Sequence, residues 1–193
     1  MRKVLFIALF IILVTLTGCS DNANTGTSFK ASETAKLIGD FASYVDSQHR
    51  EVDDSKGTSI TKDSLQFIEK NLDMFMNHDK EASQKLVDSS IDYRYLEKDI
   101  EKYSGTMYKD KGAIISIQEI KDENLNKTFT LIHLFNNEAQ VDYDVLYIEK
   151  TDLLKEDNVE FIGLPLMETS FKNVSGGTTK PFMILASDIE KIE

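Results

Sequence analysis

One cysteine stands among 193 residues, at position 19, so no intramolecular disulfide can form and a cysteine-rich metal site is excluded. Histidine is scarce as well. His49, His78 and His133 are scattered, with neither an HExxH nor a His-x-His pair, so spacing offers no zinc site. No Gly-x-Ser-x-Gly elbow occurs, and no convergent titratable set points by spacing to an enzyme. Positive charge is also short. The 22 Lys and Arg residues face 33 Asp and Glu, for a net charge of -11. Such a chain repels nucleic-acid phosphates and anionic lipid headgroups. Asp53-Asp54 and residues 152–157 lack the alternating ligand spacing of a calcium loop and read as solvated surface. Neither a metal nor a cofactor is expected.

What is there is globular in composition, with a hydrophobic fraction of 41% and length for one domain with a helical appendage. The start is specialised. Arg2 and Lys3 precede an apolar run at residues 4–16 (VLFIALFIILVTL). That run falls short of the roughly 20 residues of a spanning helix and fits an export signal. Leu16-Thr17-Gly18-Cys19 follows and resembles the lipobox of bacterial lipoproteins. The resemblance implies diacylglycerol on the Cys19 sulfur and cleavage just before it, with residues 1–18 lost as a signal peptide. Gly18 lets an extended backbone enter the peptidase site. A thiol is the good nucleophile that thioether formation needs. Two acyl chains satisfy the two-signal requirement for stable anchoring. The expected location is the cell membrane, lipid-anchored at its extracytoplasmic face.

Residues 19–31 read as a lipidated flexible tether, small and polar over residues 20–28 (SDNANTGTS). Residues 32–90 read as a helical segment. Ser32 is a cap candidate with Glu33 in the first turn, and Leu37, Ile38, Phe41, Tyr44 and Val45 share a face. Residues 46–59 carry Gly57 and read as a loop. Thr61 caps a second helix, with Asp63 behind it. Leu65, Ile68, Leu72 and Phe75 form its stripe, widened by Phe67 and Met76, and read as a core-facing surface. Asp79 caps a shorter third helix through Ala82, Leu86 and Val87.

After Tyr103 the period becomes strand-like. Residues 112–120, 128–135, 141–148, 159–166 and 182–186 read as five strands. Residues 121–127 and Asn136-Asn137 read as turns, and Ser175-Gly176-Gly177 as a loop. Pro165 marks a strand end or an edge. Five short strands suggest a small antiparallel barrel or sandwich.

The order narrows this. A lead-in from Ile91-Asp92-Tyr93 through Leu96, Lys98 and Tyr103 precedes the strands. A connector at residues 152–157 (DLLKED) precedes Val159-Glu160-Phe161-Ile162-Gly163, and Ala186-Ser187-Asp188-Ile189-Glu190 closes the chain. In this layout residues 91–193 resemble the tRNA-anticodon-like OB-fold domains of bacterial lipoproteins. The resemblance implies an α+β chain, with N-terminal helices followed by a five-stranded antiparallel OB-like β-barrel. It also implies ligand contact on the face of strands two and three and through the loops joining strands one and two and strands four and five.

On that face Tyr143 and Tyr147 share a strand parity, and His133 lies mid-strand between Ile132 and Leu134. A histidine so placed is more often a satisfied, half-buried residue than a ligand. Lys172, Ser175, Gly176 and Gly177 form a candidate ligand loop. Asn173-Val174-Ser175 matches a glycosylation sequon, a coincidence beside a bacterial lipobox. Nucleic acid fits poorly, because no Lys or Arg occurs between Lys127 and Lys150, and Asp142 and Asp144 flank Tyr143. The sequence therefore points to a non-catalytic binding module for a protein, peptide or envelope glycan. An alternative is a structural or interfering envelope lipoprotein acting through a membrane partner, as in phage superinfection exclusion. The anchor yields a direct prediction. Replacing Cys19 with Ala abolishes the acyl mass increment in intact-mass spectrometry and moves the chain out of the membrane fraction; retention of both would remove the lipoprotein reading.

Overall fold

The computed structural model describes residues 25–49 and 60–193, with side chains of the first helix from residue 33 to 48. The leader, residues 19–24 of the expected tether with Cys19, and residues 50–59 with Asp53 and Asp54 lie outside the described residues, as does the His49 side chain. The architecture is α+β. Helices α1 (Thr25–His49), α2 (Lys62–Lys70), α3 (Leu72–Asn77), α4 (Lys80–Leu86) and α5 (Tyr93–Asp99) lead through a 3-10 turn (Ile100–Tyr103) into the strands. These are β1 (Tyr108–Asp122), β2 (Lys127–Asn136), β3 (Val141–Tyr147), β4 (Asn158–Glu168), β5 (Phe171–Lys172), β6 (Thr178–Thr179) and β7 (Phe182–Lys191). Among the described residues no helix is long and apolar enough to cross a membrane.

The caps fall where the sequence put two of the three. Thr61 Oγ1 accepts from Ser64 N at 3.0 Å, and Asp79 Oδ1 accepts from Ala82 N at 3.0 Å. Each satisfies a backbone donor that the first helical turn leaves without a partner. Ser32 is not a cap. Helix α1 already begins at Thr25 and continues through Asp46 to His49. Thus the last part of the expected tether and the first part of the expected loop are helical, and no proline interrupts either stretch. Its buried stripe is Ala35, Ile38, Phe41, Ala42 and Val45, while Tyr44 is exposed. Positions 38, 41, 42 and 45 follow the three- and four-residue spacing of one helical face, and 44 falls off it. The second expected stripe is divided. Asn71 donates through Nδ2 to Phe67 O at 2.9 Å and breaks the helix into α2 and α3.

Five strands close a barrel in the order β1-β2-β3-β7-β4. The expected all-antiparallel pairing is corrected here, because β3 and β7 run parallel, from Tyr143 opposite Phe182 to Tyr147 opposite Ala186. The long return through β4 and the β5–β6 hairpin brings β7 in beside β3 in the same sense. The sheet is therefore mixed. Strand β4 does not end at Pro165. It continues to Glu168, but pairing with β1 stops at Gly163, so Pro165 faces a strand on one side only. A residue without an N–H is tolerated there.

Two apolar clusters share these strands. Ile114, Ile132, Leu134, Tyr143, Val145, Phe161 and Ile184 fill the barrel interior, and Leu96 of α5 joins them. Phe129, Leu146, Ile162, Leu164, Met183 and Leu185 face outward and are covered by Ile38, Phe41, Ile68 and Phe75 of the helices. Phe41 stacks on Phe129 with ring centroids 3.9 Å apart. Close approach between β4 and β7 depends on Gly163. A methyl group at that position would meet Ile184 Cγ2 at 2.4 Å, Leu185 O at 2.7 Å and Ala186 Cα at 3.0 Å. Two of these are backbone atoms that cannot rotate away. Gly163→Ala is expected to destabilise the fold by roughly 1–3 kcal/mol or more through overpacking, read as a lower urea midpoint. An unchanged midpoint would mean that the strands separate freely at this point.

Candidate functional site

The outer face of the barrel is divided. Its lower part, around Phe129, Leu146 and Ile148, lies beneath the helices. Its upper part is open and forms a groove of about 460 Å³. One wall comes from β1 (Ile115, Ser116, Gln118), the floor from β2 and β3 (Leu131, His133, Asp144), and the other wall from the β5–β6 hairpin (Phe171, Lys172, Asn173, Val174, Thr179). Two of the large apolar side chains that remain exposed, Ile115 and Val174, line it. A smaller hollow of about 260 Å³ near Gly112, Asn136 and Glu138 lies elsewhere. There Asn136 is committed to a turn, since its Oδ1 accepts from Glu138 N at 3.0 Å and Ala139 N at 3.1 Å.

His133 is the centre of the floor. Its Nδ1 lies 2.8 Å from Asp144 Oδ1 and its Nε2 3.1 Å from Asp142 Oδ1. Burial by itself would depress the imidazole pKa. Hydrogen bonds to Asp142 and Asp144, with their negative charges, outweigh burial and lift it from 6.5 to about 9. The ring is therefore an imidazolium at neutral pH. With both nitrogens donating to carboxylates, no lone pair is left for a metal. Among the described residues no group of three His, Cys, Asp or Glu is arranged to hold a metal ion. Cross-strand register sets Ser116, His133 and Asp144 side by side, the residue types of a hydrolase triad. The geometry is wrong for one. Nε2 faces Asp142 rather than the Ser116 hydroxyl, and a protonated ring cannot take a proton from it.

The same cluster anchors the hairpin. Thr169 Oγ1 donates to Asp144 Oδ2 at 3.1 Å, and Thr169 N donates to Pro181 O at 2.9 Å. Phe171 packs edge-on against His133, with centroids 5.4 Å apart. At the turn, Asn173 Oδ1 accepts from Gly177 N at 2.9 Å and Ser175 N at 3.2 Å, while Nδ2 donates to Thr179 Oγ1 at 3.3 Å. Asn173 is thus the internal brace of the hairpin, which accounts for it without glycosylation. Gly176 takes φ of 80°, a left-handed conformation that favours glycine.

The groove brings together two parts of the site expected from sequence, His133 and Lys172. Ser175, Gly176 and Gly177 form the exposed tip of the hairpin beyond it. Tyr143 must be removed from the ligand face. Strand alternation turns it into the barrel, where it is fully buried. Its hydroxyl donates to Asp110 Oδ2 at 2.5 Å and lies 2.9 Å from the Tyr108 hydroxyl. Burial and the charge of Asp110 push both phenols well above their ordinary range. Tyr147 shares that parity and also lies outside the groove. It stacks on His78 at 4.1 Å, and burial, followed by the charges of Glu149 and Asp188, pushes it up to about 12. Leu131, Phe171 and Val174 fall within the strand and loop that the resemblance implies for ligand contact, residues 128–135 and 171–179, whereas sequence reasoning missed Ile115, Ser116 and Gln118 of β1.

A scan against protein-family models finds no match for this chain, and a search of curated proteins finds none either. The site must be read from its own chemistry. That chemistry gives a pH signature. Folded His133 keeps its proton to about pH 9, whereas the unfolded residue releases it near 6.5. The folded state therefore holds more protons between these values, and stability falls as pH rises through that window. The loss is on the order of 2–3 kcal/mol. Urea midpoints of the native chain are expected to drop from pH 6.5 to pH 9, while His133→Gln flattens this slope. Parallel slopes for the two proteins would dissociate His133 from its carboxylates.

Proposed function

We propose that this chain is a membrane-anchored, extracytoplasmic lipoprotein whose barrel is an OB-like, non-catalytic binding module. The anchor rests on Leu16-Thr17-Gly18-Cys19. The OB-like reading rests on strand order. The first strand pairs with both the second and the fourth barrel strands, and the last runs parallel to the third. In such barrels ligands meet the outer face of strands two and three and the loop between strands four and five. That loop is here the β5–β6 hairpin, and it walls the groove on that face.

The groove carries this reading. It is a concave surface where apolar side chains (Ile115, Leu131, Phe171, Val174) surround a few oriented polar groups, the usual make-up of a ligand site. Its one histidine is protonated and held at both nitrogens by carboxylates, an arrangement that suits a fixed surface better than acid–base chemistry. A protein, peptide or envelope glycan is the fitting ligand class. Nucleic acid is not, given the net charge of -11, Asp144 on the floor and Asp142 beside His133.

The test uses the full-length lipidated chain in detergent, immobilised and exposed to solubilised envelope protein and glycan fractions. Ile115→Asp with Val174→Asp places two charges on exposed groove positions, so circular dichroism stays native. Retention of the bound fraction is expected to fall at least tenfold. Equal retention by the native and substituted proteins would exclude the groove as the site.

A further inference from the structure

The barrel closes along only part of β1. Residues 108–113 pair with β4, from Tyr108 opposite Gly163 to Ala113 opposite Asn158. Ile114 then donates to Asp157 O and accepts from Glu156 N, each at 2.9 Å. Past an irregularity between Ile114 and Ser116, β1 keeps β2 on one side, out to Asp122 opposite Lys127. No described strand pairs with its other side. Successive residues of a strand present their backbone groups to alternate sides, so residues 116–122 carry a row of N–H and C=O groups on the open edge. At about 3.4 Å per residue that row is roughly 20 Å long.

We infer that this open edge of β1 captures an extended segment of a partner polypeptide as an added strand, with a side chain of that segment seated in the groove. The inference rests on the reading of the groove as the binding site. Ser116 and Gln118 belong to both features, because they line the groove and lie on the open stretch. An added strand would therefore project every second side chain beside them, above Leu131 and against Val174. A glycan has no backbone ladder to offer such an edge; a peptide has one.

Charge selects among peptides. The chain is strongly acidic, and Asp142 and Asp144 lie beneath the groove. A second copy is therefore a poor occupant. Symmetric antiparallel pairing centred on the open stretch would also set Glu119 against its own equivalent. The fitting segment is extended, carries an apolar side chain and is neutral or basic. The irregularity at Ile114 and the charges of Glu119 and Lys121 guard the edge against indiscriminate pairing.

Random ten-residue peptides displayed on phage and selected on the full-length lipidated chain in detergent supply the probe. Selected peptides are then synthesised with single backbone N-methyl groups. An added strand uses one of its own edges, so methylation at alternate positions is expected to weaken binding at least tenfold, and methylation between them to leave it within twofold. Amide exchange at residues 116–122 should slow on binding. Loss of affinity without that alternation, or exchange protection elsewhere, overturns the proposal. If peptides fail but envelope oligosaccharides bind and are lost with Val174→Asp, the groove stands and the added strand falls. If neither class binds, both readings fall.

Discussion

The arrangement depends on strands that are apolar on both faces. Along β4, Phe161 to Met167 is continuously buried, and along β7 so is Phe182 to Ala186. One set of these side chains fills the barrel. The other would lie open to water were it not covered by α1, α2 and α3. Exposing a sheet face of this size is strongly unfavourable, at about 25 cal/mol for each square ångström of apolar surface. The helices therefore complete the barrel rather than decorate it. Where their cover ends, the same outer face becomes the groove, so the extent of the helical layer sets the size of the site.

Much of the local structure was legible. Thr61 and Asp79 announced their helices because a capping oxygen must precede a turn of unpaired donors. The turn at residues 121–127 was plain from its polar run, and there Asp122 Oδ1 accepts from Leu125 N at 2.7 Å. Long-range facts were not legible. Nothing local to β3 tells that its second neighbour is β7 and runs parallel. Tyr143 illustrates a narrower limit. Alternation groups Tyr143 with Tyr147, but it does not say which face of the sheet the pair occupies; the surrounding barrel decides that. His133 was read as a satisfied, half-buried residue, and its two carboxylate partners bear that out. Its ring is fully engaged and still floors the groove.

The groove also explains why so acidic a chain keeps a histidine there. An imidazolium between two carboxylates neutralises part of a half-buried negative pair, and it joins β2 to β3 side by side. Through Thr169 the same carboxylate holds the hairpin base. Wall and floor are thereby one hydrogen-bonded unit. The groove is therefore as ordered as Asp144 is.

A strand whose two faces are equally greasy has no hydrophobic reason to prefer one alignment over the next. Ordinarily, sliding by one residue is forbidden because it turns oily side chains to water. For β4 and β7 that penalty is largely missing. The alignment is fixed instead by the extra residue Ser187, whose hydroxyl donates to Ile162 O at 3.1 Å and whose carbonyl lies 3.3 Å from His78 Nδ1. Slippage would set Ile162 or Leu164 where only Gly163 fits. One small residue and one polar bulge thus act as the notch and pawl of an otherwise uniform rail.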